Sequence, residues 1–323
     1  MFYGISLVGE RCVFLLLALT IGLLGGCSTE VAQLRVGTNL WYGYEPAYVA
    51  ATKGYFKSEK IRVVRLSSAS EVIRAYRNGL IDVAAVTIDE ALKIGATHGK
   101  QRIVLICDWS SGADALLAKP EYATLESLKG RTIGLEESAL GAYMLSRALE
   151  NGGLTATDVK TLNVPLLEHC HAYEKGLIDA VVTFEPHRTL LIQDGAHSLF
   201  DSAQIPNEIG DLLITSHGLS RTKEELLRDF MNGWFRALDF MTQSTEEAEI
   251  IVSKNQGISV DELRLVRGGI HLVGLEENAR LLDKSGVEFK RILEVVREKM
   301  STQGLIDRTN ILPDFDASFI PAK

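Results

Sequence analysis

One seven-residue stretch of this chain occurs twice. Tyr76-Arg77-Asn78-Gly79-Leu80-Ile81-Asp82 returns as Tyr173-Glu174-Lys175-Gly176-Leu177-Ile178-Asp179, at an offset of 97 and with five of seven positions identical. Each copy runs into an apolar stretch, Val83-Ala84-Ala85-Val86 and Ala180-Val181-Val182. Each stretch ends in Thr, one residue, then an acid: Thr87-Ile88-Asp89 and Thr183-Phe184-Glu185. The Tyr suits the last turn of a helix, and Gly79 or Gly176 supplies the left-handed residue that stops it. The apolar run suits a strand buried on both faces, as in a parallel sheet. The acid then falls just past the carboxyl end of the strand, where open α/β sheets bind their ligands. Helix, Gly, strand is also common punctuation in α/β chains. Read as a duplication, the repeat predicts two similar α/β lobes, each presenting an acid, Asp89 or Glu185, to a shared cleft.

Length and charge narrow the class. A chain of 323 residues has a prior of about two domains. The net charge of −8 and the lack of a basic run argue against a nucleic-acid partner. At the N-terminus Arg11 precedes an apolar run from Val13 to Leu24, the length of a signal-peptide core and short for a membrane span. Leu24-Gly25-Gly26-Cys27 follows, small residues before a Cys, similar to a bacterial lipobox. That similarity implies a signal peptide over 1–26, cleavage before Cys27 and a lipid anchor on its sulfur, with 27–33 as linker. An ordinary secretory signal is the alternative. Cys107 and Cys170, the two cysteines after Cys27, make no disulfide framework.

Strands are expected at 34–38, 61–66, 83–86, 102–107, 115–118, 131–135, 162–164, 180–182, 199–200 and 212–215. Helices are expected at 46–53, from Glu71, from Asp89 to Gly95, and from Glu136 to Leu149. Asp108 to Gly112 reads as a loop. From Thr222 onward the pattern is helical. Thr222 with Glu225, Ser244 with Glu247, and Ser259 with Glu262 have the spacing of capping boxes.

Several segments in order resemble the solute-binding proteins of nitrate/sulfonate/taurine (NitT/TauT) importers. They are Tyr44-Glu45-Pro46-Ala47-Tyr48, Lys53-Gly54-Tyr55-Phe56, the first repeat, Ser127-Leu128-Lys129-Gly130-Arg131-Thr132-Ile133-Gly134, and Val182-Thr183-Phe184-Glu185-Pro186. The resemblance implies a type II periplasmic-binding-protein fold, two doubly wound lobes joined by a two-segment hinge. The hinge would fall near 112–118 and 213–218. Lobe one would be 34–113 plus 217–323, and lobe two 114–216. It further implies a monomer at the periplasmic side of a bacterial envelope, with an ABC permease and ATPase as partners and no cofactor. A related branch binds pyrimidine precursors of thiamine. A ligand-sensing lipoprotein feeding a chemoreceptor or kinase is the alternative. A pyrimidine-synthesis enzyme is disfavoured, because the cysteine cluster of that relative is missing here.

Loops after parallel strands should line the cleft. Candidates are Asn39, Trp41, Tyr44 and Glu45 after the first strand, Ser68 and Ser70 after the second, and Thr87 and Asp89 after the first repeat. Asp114 lies near the hinge, and Ser138, His169 and Glu185 belong to the second lobe. Trp41 and Tyr44 can wall a ligand, offer cation–π contact, or pack on their own helix. The serines can cap helices as well as touch ligand. Removing Glu185 or Trp41 is expected to weaken binding without unfolding the protein.

The loops at 39–45, 67–71, 87–90, 108–114 and 135–141 hold eight acids and no Lys or Arg. An opposed unit charge at about 4 Å in a protein-like dielectric is worth roughly 4 kcal/mol. This predicts a cationic, amine-bearing or neutral heteroaromatic ligand rather than an anion. His169-Cys170-His171 is the one metal-like cluster; in an extended segment both His would share a face, but no third ligand is near. No metal and no catalysis are expected, since no nucleophile–base pair and no phosphate-binding or metalloprotease motif occurs.

Overall fold

The computed structural model describes residues 32–323 apart from 137, 284, 308, 310 and 323. The signal segment and Cys27 lie outside the described residues. Among the described residues twelve strands form two sheets: β1 Leu34–Thr38, β2 Ile61–Arg65, β3 Val83–Thr87, β4 Gln101–Ser110, β5 Asp114–Ala118, β6 Thr132–Leu135, β7 Lys160–Asn163, β8 Ala180–Phe184, β9 His197–Asp201, β10 Gly210–Ser216, β11 Ile270–Leu272 and β12 Asp314–Phe315. The helices are α1 Glu45–Thr52, α2 Ala69–Arg77, α3 Ile88–His98, α4 Ala139–Asn151, α5 His169–Glu174, α6 His187–Gln193, α7 Arg221–Gln243, α8 Thr245–Gln256, α9 Val260–Val266, α10 Leu275–Leu281 and α11 Val287–Thr302. Among the described residues no helix is long and apolar enough to cross a membrane.

The first sheet has seven strands, in the order β11-β4-β10-β3-β1-β2 with β12 beside β4. The second has five, in the order β7-β6-β8-β5-β9. β2-β1-β3 and β7-β6-β8 are the parallel portions, and in each the third strand meets an antiparallel one, β10 or β5. The duplication extends to register. Val36 pairs with Val83 and Gly37 with Ala84; 97 residues on, Ile133 pairs with Ala180 and Gly134 with Val181.

The repeat supplies the joints of this frame. Gly79 and Gly176 have φ of 67° and 69°, in the left-handed region that glycine tolerates best. Asp82 accepts from the backbone N–H of Arg35 at 2.9 Å, and Asp179 from that of Thr132 at 2.8 Å. A Cβ on Gly37 would meet Ile81 Cδ1 at 2.3 Å, and one on Gly134 would meet Ile178 Cδ1 at 2.7 Å. Both glycines thus admit the Ile that follows the turn.

Three expectations need correction. β4 runs on through Asp108, Trp109 and Ser110, because β10 and β11 pair with that stretch. The helix at 88 continues past Gly95 and stops at Gly99, whose φ is 79°. The chain returns to the first sheet earlier than expected: β10 is already a member of it, so 210–216 does not belong with the second sheet. The two links between the sheets are therefore 111–113 and 202–209. Ser202 ties them, through its hydroxyl contact with Ser110 at 2.8 Å and the bond it accepts from the Gly112 N–H at 2.7 Å.

Among the C-terminal caps, Ser259 and Glu262 form the expected box. The helix expected to start at Thr222 is capped by Ser220 instead. Ser244 precedes α8 without capping it through its side chain.

Candidate functional site

The two crossing strands begin alike. β5 opens with Asp114 opposite Phe184, and β10 places Asp211, its second residue, opposite Thr87. Asp114 and Asp211 are themselves 97 residues apart, as are Thr87 and Phe184. Each half of the duplication thus sends one buried aspartate to the line where the halves meet. Both aspartates border a cavity of about 10 Å³, the lower edge of what one water molecule needs. Asn39, Trp41, Tyr44, Thr87 and Phe184 border it too, with Ala69, Glu90 and Leu140.

The cleft is shut. Trp41 of the first half meets Phe184 of the second edge-on, with ring centroids 5.8 Å apart. The Ser70 backbone N–H donates to Glu136 across the gap at 3.0 Å. Lys299 on α11 pairs with Glu150 on α4 at 2.8 Å. Outside the Ser70–Glu136 bridge lie two grooves of about 300 and 500 Å³, both bordered by Ser70 and Arg74. Arg77 and Lys93 border the smaller one, so the Lys and Arg missing from the loops stand at the mouth rather than at the cavity.

Six carboxylates are buried here: Asp89, Glu90, Asp108, Asp114, Glu136 and Asp211. None of them forms a salt bridge among the described residues. Burial is the main cause of their behaviour, because the charged form loses its hydration. It pushes Asp89 up to about 6, Asp114 up to about 7 and Asp108 up to about 8. Glu90 and Asp211 are raised well above the ordinary carboxylate range, by burial and then by neighbouring acids. Two of the local donors are already committed, since Trp41 Nε1 donates to Asp108 at 3.1 Å and the Tyr44 hydroxyl donates to Asp211; the Thr87 hydroxyl, beside Asp89, makes no full hydrogen bond. Unpaired acceptor atoms remain, among them both Asp89 oxygens, Asn39 Oδ1, Glu90 Oε1, Asp108 Oδ1, Asp114 Oδ2 and Glu136 Oε2. A site rich in unpaired acceptors and short of donors suits a ligand that donates hydrogen bonds and carries positive charge.

The sequence-derived candidates fall into four groups. Asn39, Trp41, Tyr44, Thr87 and Asp114 border the cavity. Asp89 is fully buried beside them, near enough to raise Asp114 and Asp211. Ser68, Ser70 and Ser138 border the outer grooves, and Ser68 and Ser138 accept from the Glu71 and Gly141 N–H groups as helix caps.

Glu45, His169 and Glu185 are not among the residues bordering the cavity or the grooves. Glu45 is paired with Arg65 at 2.6 Å and accepts from Asn255 and Gln256, which ties α1 to α8. His169 is buried with its ring nitrogens 3.0 Å from Thr183 Oγ1 and 3.1 Å from the Val164 carbonyl. Burial lowers it to about 4. Residues 169–174 are helix rather than extended, so His169 is buried while His171 is exposed and the two do not share a face. Among the described residues no three His, Cys, Asp or Glu are set to hold a metal. Glu185 caps α6, accepting from the Thr189 N–H at 3.0 Å and hydroxyl at 2.9 Å, and it pairs with Arg188 at 3.0 Å.

Asp211, Phe184 and Leu140 were not foreseen, and Glu90 and Glu136 only as part of a general acidic lining. Asp211 carried a signal, since its offset from Asp114 equals that of the repeat.

This frame has known counterparts. The profile of the NMT1-like family matches residues 28–254. The chain belongs to the NMT1-like family. Two curated relatives from Escherichia coli (strain K12) share stretches with it. One is the taurine-binding periplasmic protein, 24% identical over 164 residues, which are 50% of this chain and 51% of that one. The other is a putative aliphatic sulfonates-binding protein, 23% identical over 137 residues and 42% of each chain. The chain thus spans about half or less of the length of these relatives. In structure it is similar to the alkanesulfonate-binding protein SsuA from Xanthomonas axonopodis pv. citri bound to MOPS. That match has a TM-score of 0.71 at 17% identity and covers 88% of this chain and 98% of that one. The fold is that of the periplasmic binding proteins, with two α/β sheets joined by two links.

Proposed function

We propose that this NMT1-like chain is an extracytoplasmic solute-binding protein of the nitrate/sulfonate/taurine importer type. Its two halves, 34–110 with 210–322 and 114–201, part at the links 111–113 and 202–209. They close on a small cationic or amine-bearing heteroaromatic molecule and deliver it to an ABC permease and ATPase. A lipid at Cys27 would hold the protein, a monomer, at the periplasmic side of the membrane. The named relatives, which bind solutes, support this reading.

One observation carries the choice of ligand charge. Closure brings Asp114 of one half and Asp211 of the other to the same cavity, with no cationic side chain bordering it. Like charges buried together are costly. A bound cation offsets that cost; the shut cavity has room for about one water, so a larger ligand is held with the halves further apart than here, and its binding selects that form.

Arg74 favours a second reading. It borders both outer grooves, beside the capped helix starts at Ser68 and Ser138. An anionic sulfonate, such as the named relatives bind, would sit there rather than among the acids. Native mass spectrometry of protein purified from its own host separates the two. A nitrogenous cation bound to the protein supports the first reading; nitrate or an alkanesulfonate supports the second and overturns the first.

A further inference from the structure

We propose that the ligand is a linear aliphatic diamine or longer polyamine, held by carboxylates strung along the cleft from its mouth to its floor. The inference rests on the cationic reading above and names the class of cation.

The first argument is charge spread along a line. Glu136 borders the 500 Å³ groove together with the exposed Leu167, so it stands at the mouth. Asp114 and Asp211, both buried and both bordering the inner cavity, stand at the floor. Between them Glu90 borders both the 300 Å³ groove and the inner cavity, so the acids run from groove to cavity, and each acts on the next: Glu136 on Glu90, Glu90 with Asp89, and Asp89 on Asp114 and Asp211. A metal ion would need several of these acids at one point, and no such group occurs among the described residues. A monoamine would answer one end of the row and leave the other repelling itself. Two or more ammonium groups on one chain answer both ends.

The second argument is independent of the acids. Asn39 borders the cavity at 7% exposure, and its Oδ1 has no hydrogen-bond partner. An amide oxygen placed there adds a further acceptor and no charge, which fits a primary ammonium with three N–H groups to distribute. Apolar side chains stand among these acids: Trp41, Phe184 and Leu140 border the cavity, a surface suited to methylenes and to cation–π contact.

Isothermal titration of the whole protein at pH 8 with 1,4-diaminobutane, n-butylamine and taurine tests this. The diamine should bind at least about tenfold more tightly than the monoamine, a difference of about 1.4 kcal/mol. Glu90→Gln should close most of that gap, with a thermal melt confirming the variant is folded. Equal affinity for the two amines overturns the polyamine proposal and leaves the cationic reading in place. Binding of taurine with neither amine bound overturns both.

Discussion

The same strand, built twice, ends in two different ways. β3 and β8 share length, register and turn, yet the acids that follow them do opposite work. Glu185 is saturated: Arg188 and Thr189 hold both of its oxygens, and it serves as the cap of α6. Asp89 is buried just as deeply, but neither oxygen finds a hydrogen-bond partner. Register explains the divergence. At the constant offset of 97, Asp89 corresponds to Pro186, not to Glu185, and α6 starts at His187 where α3 starts at Ile88. Asp89 therefore sits inside the first turn of its helix, while Glu185 precedes its own. A duplicated frame leaves its strand tips free to diverge, one acid held by its own helix and one left among the buried acids beside the cavity.

The comparison can be broken from either side. Glu185→Ala should cost about 2–4 kcal/mol of stability, because it strips a buried cap and leaves Arg188 unpaired. Chemical denaturation reads this, and a variant as stable as the parent would return Glu185 to the ligand site. The shared part of the frame should respond alike in both halves. Gly37→Ala and Gly134→Ala should each cost about 1–3 kcal/mol, since the added methyl overlaps Ile81 or Ile178. A large cost in one half and none in the other would show that the frames differ. Asp89→Asn should act in the opposite direction from Glu185→Ala. Removing a desolvated charge without a partner should stabilise the ligand-free protein by about 1–2 kcal/mol and weaken amine binding.

The smallest effect is spread over pH. Asp89, Asp114 and Asp108 hold protons up to about 6, 7 and 8 in the folded protein, against an ordinary value of 3.8. Between about pH 4 and 8 the folded state thus binds more protons than the unfolded one. The stability these three groups contribute to the ligand-free protein should be fully present below about pH 4 and be lost as pH rises from there to 8. Cation affinity should rise over the same window. Melting temperatures that increase from pH 5 to 8 would contradict this.

Much of the frame is legible in the sequence because it rests on local signals. A helix-stopping glycine, an Ile and an Asp recur at one spacing, and the parallel strands follow. The cavity loops after β1 and β3 are legible for the same reason, and so is Asp114. Less legible is whatever depends on a distant partner. Glu45 reads as a cleft acid until Asn255 and Gln256, about 210 residues away, take its oxygens. His169 reads as a polar cleft group until helix formation turns it toward Thr183. Asp211 was hidden by reading the return strand as the apolar run 212–215 and overlooking the residue before it. Matching Asp89 to Glu185 is a one-residue slip, and it pairs an acid inside the first turn of α3 with one that precedes α6 and caps it.

The central claim is that closure gathers acids whose protons a positively charged ligand displaces. Titrating the protein with 1,4-diaminobutane at pH 7, in two buffers of different ionisation enthalpy, measures the protons exchanged on binding. Release of about one proton or more is predicted, because the ammonium groups favour the charged form of Asp108 and Asp114. Binding with no net release, or with proton uptake, would contradict the account.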